Sequence, residues 1–417
     1  MNDTGANQIN AALEELYNSQ SRRILATLIR LLGDFDLAED ALQEAFAIAA
    51  TKWQEEGIPK NPRSWIVSTG RFKAIDNLRR KSKFTSPLPG QLENQIDHNQ
   101  HDPADQMDDI LEDDQLRLIF TCCHFALSAE ARVALTLREV CDLSTDEIAR
   151  AYLTSASTVS QRIVRAKSKI RKAGIPYQIP PPEKLPERLD IVLQVIYLIF
   201  NEGYSSTSGE SLTRRDLCDE AIRLGRLLMD LLPEPEVSGL LGLMLLQDST
   251  RETRMTAEGD LVLLEDQDRS LWDKEKISEG IALIEQSLLS RRFGPYAIQG
   301  AIAAVHAEAS DAQSTDWAQI EELYSVLQGI NPSPVVELNM AVATAMHKGI
   351  EVGLEKVNAI LDRGDLEDYY LIHSTKADFF RRLGNHEKAK ESYQRALSLT
   401  QQGPEQRFLE KRLKNLK

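Results

Sequence analysis

The densest run of chemically capable side chains is LSTDEIARAYLTSASTVSQRIVRAK, residues 143–167. Thr158, Ser160, Gln161, Arg162, Arg165 and Lys167 bring hydroxyl, amide, guanidinium and ammonium groups, the types that pair with base edges and phosphate oxygens. They need a scaffold, and the neighbouring residues describe one. Ser144 or Thr145 is placed to cap a first helix whose Ile148, Ala149 and Tyr152 face inward. Ser155 to Ser157 supply a turn and the next cap, and Ile163 and Ala166 anchor a second helix. This is a helix-turn-helix, whose second helix enters a DNA groove. The pattern is moderately specific, because helical proteins often contain it by chance.

The total charge argues the other way. The chain carries 49 Lys plus Arg against 64 Asp plus Glu, a formal net charge of −15. Resolved by segment, the conflict disappears. Residues 60–83 hold eight basic side chains against Asp76 alone, and residues 144–172 hold seven against Asp146 and Glu147. Between them, residues 84–114 contain nine acids and no Lys or Arg. From Glu183 onward the count is 27 basic against 39 acidic. The acidity belongs to a connecting segment and a separate second half, which leaves two basic islands for phosphate. A single island would read as a solvated helix face.

Other chemistries find no support. Cys122, Cys123, Cys141 and Cys218 form no CxxC, and they are expected to be reduced core thiols. HEKAK (386–390) lacks the second His of a zinc helix. No P-loop, GxGxxG fingerprint or GxSxG elbow occurs, so the expectation is a protein without catalysis, metal or cofactor. The apolar runs at 191–200 and 237–246 are about half the ~18 residues that a membrane helix needs. The N-terminus has no basic stretch followed by an apolar core, so a cytoplasmic protein with no membrane partner is expected.

Apolar residues recur at helical spacing, as at Ile24, Leu28, Leu31 and Leu32, and β-type alternation is lacking. The fold class is therefore all-α. A first helical block spans 8–83, broken at GDFD (33–36) and at the loop QEEGIPKNPR (54–63). Residues 84–109 are polar, acidic and Pro-punctuated, the composition of a flexible linker. A second block covers 110–175, and a Pro-rich junction leads into a large helical half at 187–417. There, Ala377, Phe380, Gly384, Ala389, Tyr393 and Ala396 have the small-and-aromatic spacing of a tetratricopeptide (TPR) unit, with a weaker copy ending near 334. Asn201 to Tyr204 reads as a helix C-terminus, with Gly203 in the left-handed cap position.

The segment SAEARVALTLREVCDLSTDEIARAYLTSASTVSQRIVRAKSKIR resembles region 4 of the extracytoplasmic-function (ECF) sigma factors of bacterial RNA polymerase. DFDLAEDALQEAFAIAATKW (34–53) and NPRSWIVSTGRFKAIDNLRRKSK (61–83) resemble region 2 of that family. LPERLDIVLQVIYLIFNEGYSS and LVLLEDQDRSLWD (261–273) are similar to the C-terminal TPR-like extension of one subgroup, in which the extension regulates the factor in cis. By itself, the polar face of Asp36, Glu39, Asp40, Gln43 and Glu44 would be a solvated helix face. The resemblance implies that it docks on the clamp helices of core polymerase, with the flap as a second contact. It also implies that the loop before Ser64 forms a base pocket. Arg63, Trp65, Arg71, Lys73, Asn77 and Arg80 would then hold the melted −10 strand, although Trp65 reads equally as a core residue. Thr158, Ser160, Gln161 and Arg165 would read the −35 element, with Arg162 and Lys167 on phosphates. Ser160 departs from the basic residue that the family often has there, which alters the expected −35 sequence.

The implied partners are core RNA polymerase, promoter DNA and a further protein or ligand for the C-terminal half. The rival reading is an operator-binding regulator with a TPR-like sensor. It needs one DNA-binding block and leaves 34–83 unexplained.

Overall fold

The structure is a computed structural model that describes residues 3–84, 107–152, 154–204, 215–256, 259–400 and 403–416. Most of the 84–109 linker expected from composition lies outside the described residues. Among the described residues every regular element is helical, apart from one isolated bridge between Met255 and Leu261. The chain divides into two compact units, 1–195 and 196–417.

In the first unit, α1 (Asp3–Leu32), α2 (Phe35–Glu56) and α3 (Pro62–Phe84) form a three-helix core. Each presents a stripe at helical spacing: Ile24, Leu25, Leu28 and Ile29 from α1; Ala38, Ala41, Leu42, Ala45 and Ala49 from α2; Ile66, Val67 and Ala74 from α3. The alanines of α2 permit a close approach. At Gly70 of α3, a Cβ would lie 2.9 Å from the Ala41 carbonyl oxygen, so no side chain fits. The breakers act at the positions expected of them. The Asp34 carboxylate caps α2 by accepting from the Asp36 and Leu37 amides at 3.0 Å, and Gly57, at φ +84°, ends it.

Then come α4 (Met107–Cys122), α5 (Ala129–Glu139), α6 (Thr145–Ala151) and α7 (Ala156–Ala173). α4 packs on α1, where the buried Asp114 takes Arg30 at 2.5 Å and Arg117 at 2.7 Å. Cys122, Cys123 and Cys141 are buried thiols outside any disulfide, as expected of core residues; burial pushes the Cys123 thiol up to about 11. The division between the units falls within α8 (Leu185–Tyr204).

In the second unit, α10 (Pro235–Asp248) is buried almost all round, which makes it the central helix. α9 (Arg215–Leu231), α11 (Lys274–Leu289) and α12 (Pro295–Glu308) pack around it. The stretch 261–273 turns back as short 3₁₀ segments and is pinned by Trp272, whose Nε1–H donates to Thr253 Oγ1 at 3.0 Å. Arg269 lies over the Trp272 ring and donates to the carbonyls of His306 and Ala309 at 2.6 and 2.7 Å. Next follow α13 (Trp317–Ile330), α14 (Pro334–Lys348), α15 (Ile350–Asp362), α16 (Tyr370–Arg382), α17 (His386–Leu399) and α18 (Gly403–Asn415). α16 and α17 make the hairpin that the TPR spacing predicts. Ala377, Ala389, Tyr393 and Ala396 are buried at its seam, and Gly384 turns the chain at φ +75°.

Gly203 corrects the sequence reading. It is inside α8 and has no left-handed backbone. A Cβ there would lie 2.6 Å from the Cys218 amide nitrogen of α9, so the glycine is needed for helix–helix contact, not for a cap.

Candidate nucleic-acid interface

The helix-turn-helix is built by local hydrogen bonding. Ser144 and Glu147 form a reciprocal capping box at the start of α6: the Ser144 amide donates to Glu147 Oε2 at 2.7 Å, and the Glu147 amide to Ser144 Oγ at 3.2 Å. Ser155 caps α7 by accepting from the Thr158 amide at 3.1 Å. Ile148, Ala149, Val159, Ile163 and Ala166 are buried, which turns Ser160, Gln161, Val164 and Arg165 outward. Val164 is 61% exposed, an apolar contact on an otherwise polar row. Thr158 is half-buried, and its hydroxyl is within 2.8 Å of Ser155 Oγ, so it is engaged in the cap. Arg162 is half-buried, and its charge helps hold the Glu130 carboxyl below the ordinary range, behind the hydrogen bonds from the Glu130 amide and Ser128.

The second candidate surface lies between α2 and α3. Asn61 starts α3 by accepting from the Ser64 amide at 3.2 Å, with Pro62 at the first helical position. The loop residues Ile58, Lys60, Asn61, Pro62 and Arg63 line a cavity of about 560 Å³, with α1 and Trp53 completing the wall. Trp53 is 2% exposed and meets the half-buried Trp65 edge-on, with centroids 5.6 Å apart. Trp65 thus serves core and rim at once. Farther along α3, Arg71 and Lys73 are half-buried, while Asn77 and Arg80 are exposed. Arg80 pairs with Asp76 at 2.9 Å, and Asn77 Nδ2 donates to Glu44 of α2 at 3.2 Å. Sequence reasoning missed Phe72, which is 69% exposed between two cations, a platform for base stacking. Its signal was a large aromatic at an outward helical position.

The acidic face of α2 is not simply solvated. Asp40 and Gln43 are exposed. Asp36 is exposed as well but takes Lys167 of α7 at 3.0 Å, while Glu39 takes Arg138 of α5 at 2.8 Å and Asp34 takes Arg171 of α7 at 2.8 Å. Lys167 is only 11% exposed; it also reaches the buried Glu139 at 3.1 Å and lies over the Phe35 ring. Burial works against its charge, yet Glu139 and Asp36 hold its pKa above the ordinary lysine value. The structure therefore separates Lys167, turned toward α2, from Ser160, Gln161 and Arg165, turned outward.

Comparison with known families bears on both surfaces. Residues 16–84 match Sigma-70 region 2, and residues 117–170 match Sigma-70, region 4. The chain is also similar to proteins named as sigma factors. One is a "Probable RNA polymerase sigma factor" of Haemophilus influenzae, 26% identical over 38% of this chain and 88% of its own. Another is the "Probable ECF RNA polymerase sigma factor SigI" of Mycobacterium tuberculosis, 26% identical over 37% of this chain and 52% of its own. The chain belongs to the ECF sigma factors. Family membership brings core RNA polymerase and promoter DNA as its partners. The sigma factor also carries an extension: residues 188–288 match a family of unknown function (DUF6596), and residues 372–402 match the tetratricopeptide repeat. A protein of Rhizobium meliloti, "Uncharacterized protein R00370", is 42% identical over 94% of this chain and 93% of its own. Among the described residues, no helix is long and apolar enough to cross a membrane.

Proposed function

We propose that this sigma factor engages polymerase through Asp36, Glu39, Asp40, Gln43 and Glu44 of α2, and that its two candidate surfaces divide the promoter between them. The loop at 57–63, with Arg63, Trp65, Arg71, Lys73, Asn77 and Arg80, receives the unpaired −10 strand. A flipped base needs a cavity and aromatic walls, and a single strand needs cations along its path. The start of α7 reads the −35 element, with the Gln161 amide and Arg165 guanidinium on base edges and Thr158 and Ser160 beside them. Arg162 serves a phosphate, whereas Lys167, held by Asp36 and Glu139, is left out of the contact. The second unit regulates initiation in cis.

One observation carries this reading: the first unit holds two separate surfaces of nucleic-acid type, whereas an operator-binding regulator needs one. Holoenzyme formation tests the docking half. With fluorescently labelled protein titrated against purified core polymerase, Asp40→Arg is expected to weaken binding by roughly tenfold or more, since it brings a like charge to a basic partner surface. Equal affinity of this variant and the wild-type chain would move the docking site elsewhere.

A further inference from the structure

The first unit holds a cavity whose lining residues belong to neither candidate promoter-reading surface. It measures about 470 Å³ and is lined by the turn after α4, the Pro-rich segment after α7 and the start of α8. All of these residues, 124–188, fall within the first unit. Part of the lining is the Phe125 ring, which is 63% exposed although it is a large apolar group. Pro176, Pro180 and Pro181 make the rest of the apolar lining. Proline fixes its own φ and carries no N–H, so this wall is stiff and offers no backbone donor.

The polar groups at this cavity are donors. The His124 ring stacks on Phe125 with centroids 4.3 Å apart. Its Nδ1 accepts from the Ala126 amide at 3.2 Å, which puts the proton of the neutral ring on Nε2. Arg188 lies over the same Phe125 ring, 5.6 Å from its centroid. Its Nη2 donates to the Phe120 carbonyl at 2.7 Å, while its Nε is buried and has no hydrogen-bond partner among the described residues. Lys184 is exposed and stands one helical turn before Arg188, whose amide bonds the Lys184 carbonyl at 3.1 Å. Glu187 is the acid of the lining, so these charges sum to a net positive site.

We propose that this cavity binds a small aromatic carboxylate of one or two rings. Its volume is in the range of ~300–1,000 Å³ that small-molecule sites occupy, and apolar walls with a few convergent polar groups are their usual lining. The ligand ring packs on Phe125 and the prolines, offset or edge-on. The carboxylate takes Arg188 and Lys184 in charge-assisted hydrogen bonds, and the buried donor on Arg188 gains an acceptor. The stiff proline wall keeps the cost of ordering the site low. Lys169 of α7 also donates to the Ala126 carbonyl, so the α4–α5 turn is already tied to the helix that carries Gln161 and Arg165. A bound ligand braces that turn against the segment after α7. This inference is independent of the docking and promoter assignments above.

The test titrates the full chain with 2-naphthoate in a calorimeter, beside naphthalene-2-methanol, which keeps the rings and lacks the charge. One molecule of 2-naphthoate should bind per chain, roughly tenfold or more tighter than the alcohol. It should also raise the melting temperature of the chain, because it binds the folded form. Lys184→Gln and Phe125→Leu change exposed side chains and should each weaken 2-naphthoate by roughly fivefold. Arg188→Gln should weaken it more than Arg188→Lys, which keeps the charge. Melts without ligand check that the variants fold, and if the Arg188 pair does not, Lys184→Gln and Phe125→Leu decide. No saturable binding at millimolar 2-naphthoate would overturn the proposal, as would equal affinity for acid and alcohol. Binding that both exposed-site variants leave unchanged would place the ligand elsewhere and overturn it too. Loss of core-polymerase affinity in Phe125→Leu, with no binding of 2-naphthoate, would make the cavity a polymerase contact instead.

Discussion

On α7 the direction in which each side chain points separates the proposed base contact Arg165 from the structural cation Lys167. Arg165 and Lys167 are two residues apart and equally basic, yet Arg165 is exposed while Lys167 is held among Asp36, Glu39 and Glu139. Replacing Arg165 or Gln161 with Ala should therefore relax preference at one −35 position by about 1–3 kcal/mol. Selection from a randomised −35 library reads this as a flattened column, and uniform weakening across all sequences would instead make the residue a phosphate contact. Much of this site was legible in the sequence. The Ser144–Glu147 capping box, the Ser155 cap and the inward Ile163 and Ala166 all follow from local spacing. The fate of Lys167 was not, because its partner Asp36 is 131 residues away and no local rule joins them. Phe72 escaped for the same reason: exposure is decided by what the rest of the fold leaves uncovered.

At the scale of the helix, Gly203 shows how an end signal is misread. Asn-Glu-Gly before a polar stretch resembles a helix stop, but the glycine is there because α9 crosses close to α8. Gly203→Ala should destabilise the second unit by about 1–3 kcal/mol through overpacking against the Cys218 backbone, seen as a lower denaturation midpoint. A gain in stability would mean that the helices separate freely. The α16–α17 hairpin was read correctly, since small residues at a helix seam leave a periodic trace. The support of α12 left none. His306 packs edge-on to Trp317 at 5.2 Å, and burial, aided by Arg269, lowers its pKa to about 4. A histidine that resists protonation when folded, but titrates near 6.5 when unfolded, adds stability above about 6.5. That stability is lost as pH falls from about 6.5 to about 4, over which the unfolded chain binds more protons. The loss is at most about 3 kcal/mol. Chemical denaturation between pH 7 and 4 should show this slope in the wild-type chain and a shallower one in His306→Gln. Identical slopes would place the acid sensitivity elsewhere.

For the whole molecule, the net charge of −15 conceals two basic surfaces, and only segment-by-segment counting recovers them. The all-helical class and the order of sigma regions 2 and 4 were visible in periodicity and motif. That α2 and the helix-turn-helix face each other was not, since pairing between distant charged faces leaves no periodic signature. The first unit carries both candidate promoter-reading surfaces, and the proposed function has them read paired −10 and −35 elements. Run-off transcription with purified core polymerase, the full chain and a library of genomic upstream fragments tests it most directly. The account predicts discrete starts that depend on the added protein and share paired −35 and −10 elements, with the second element lost in Arg71→Ala/Lys73→Ala. A core polymerase that stays silent while the protein still binds duplex DNA through α7 would contradict it.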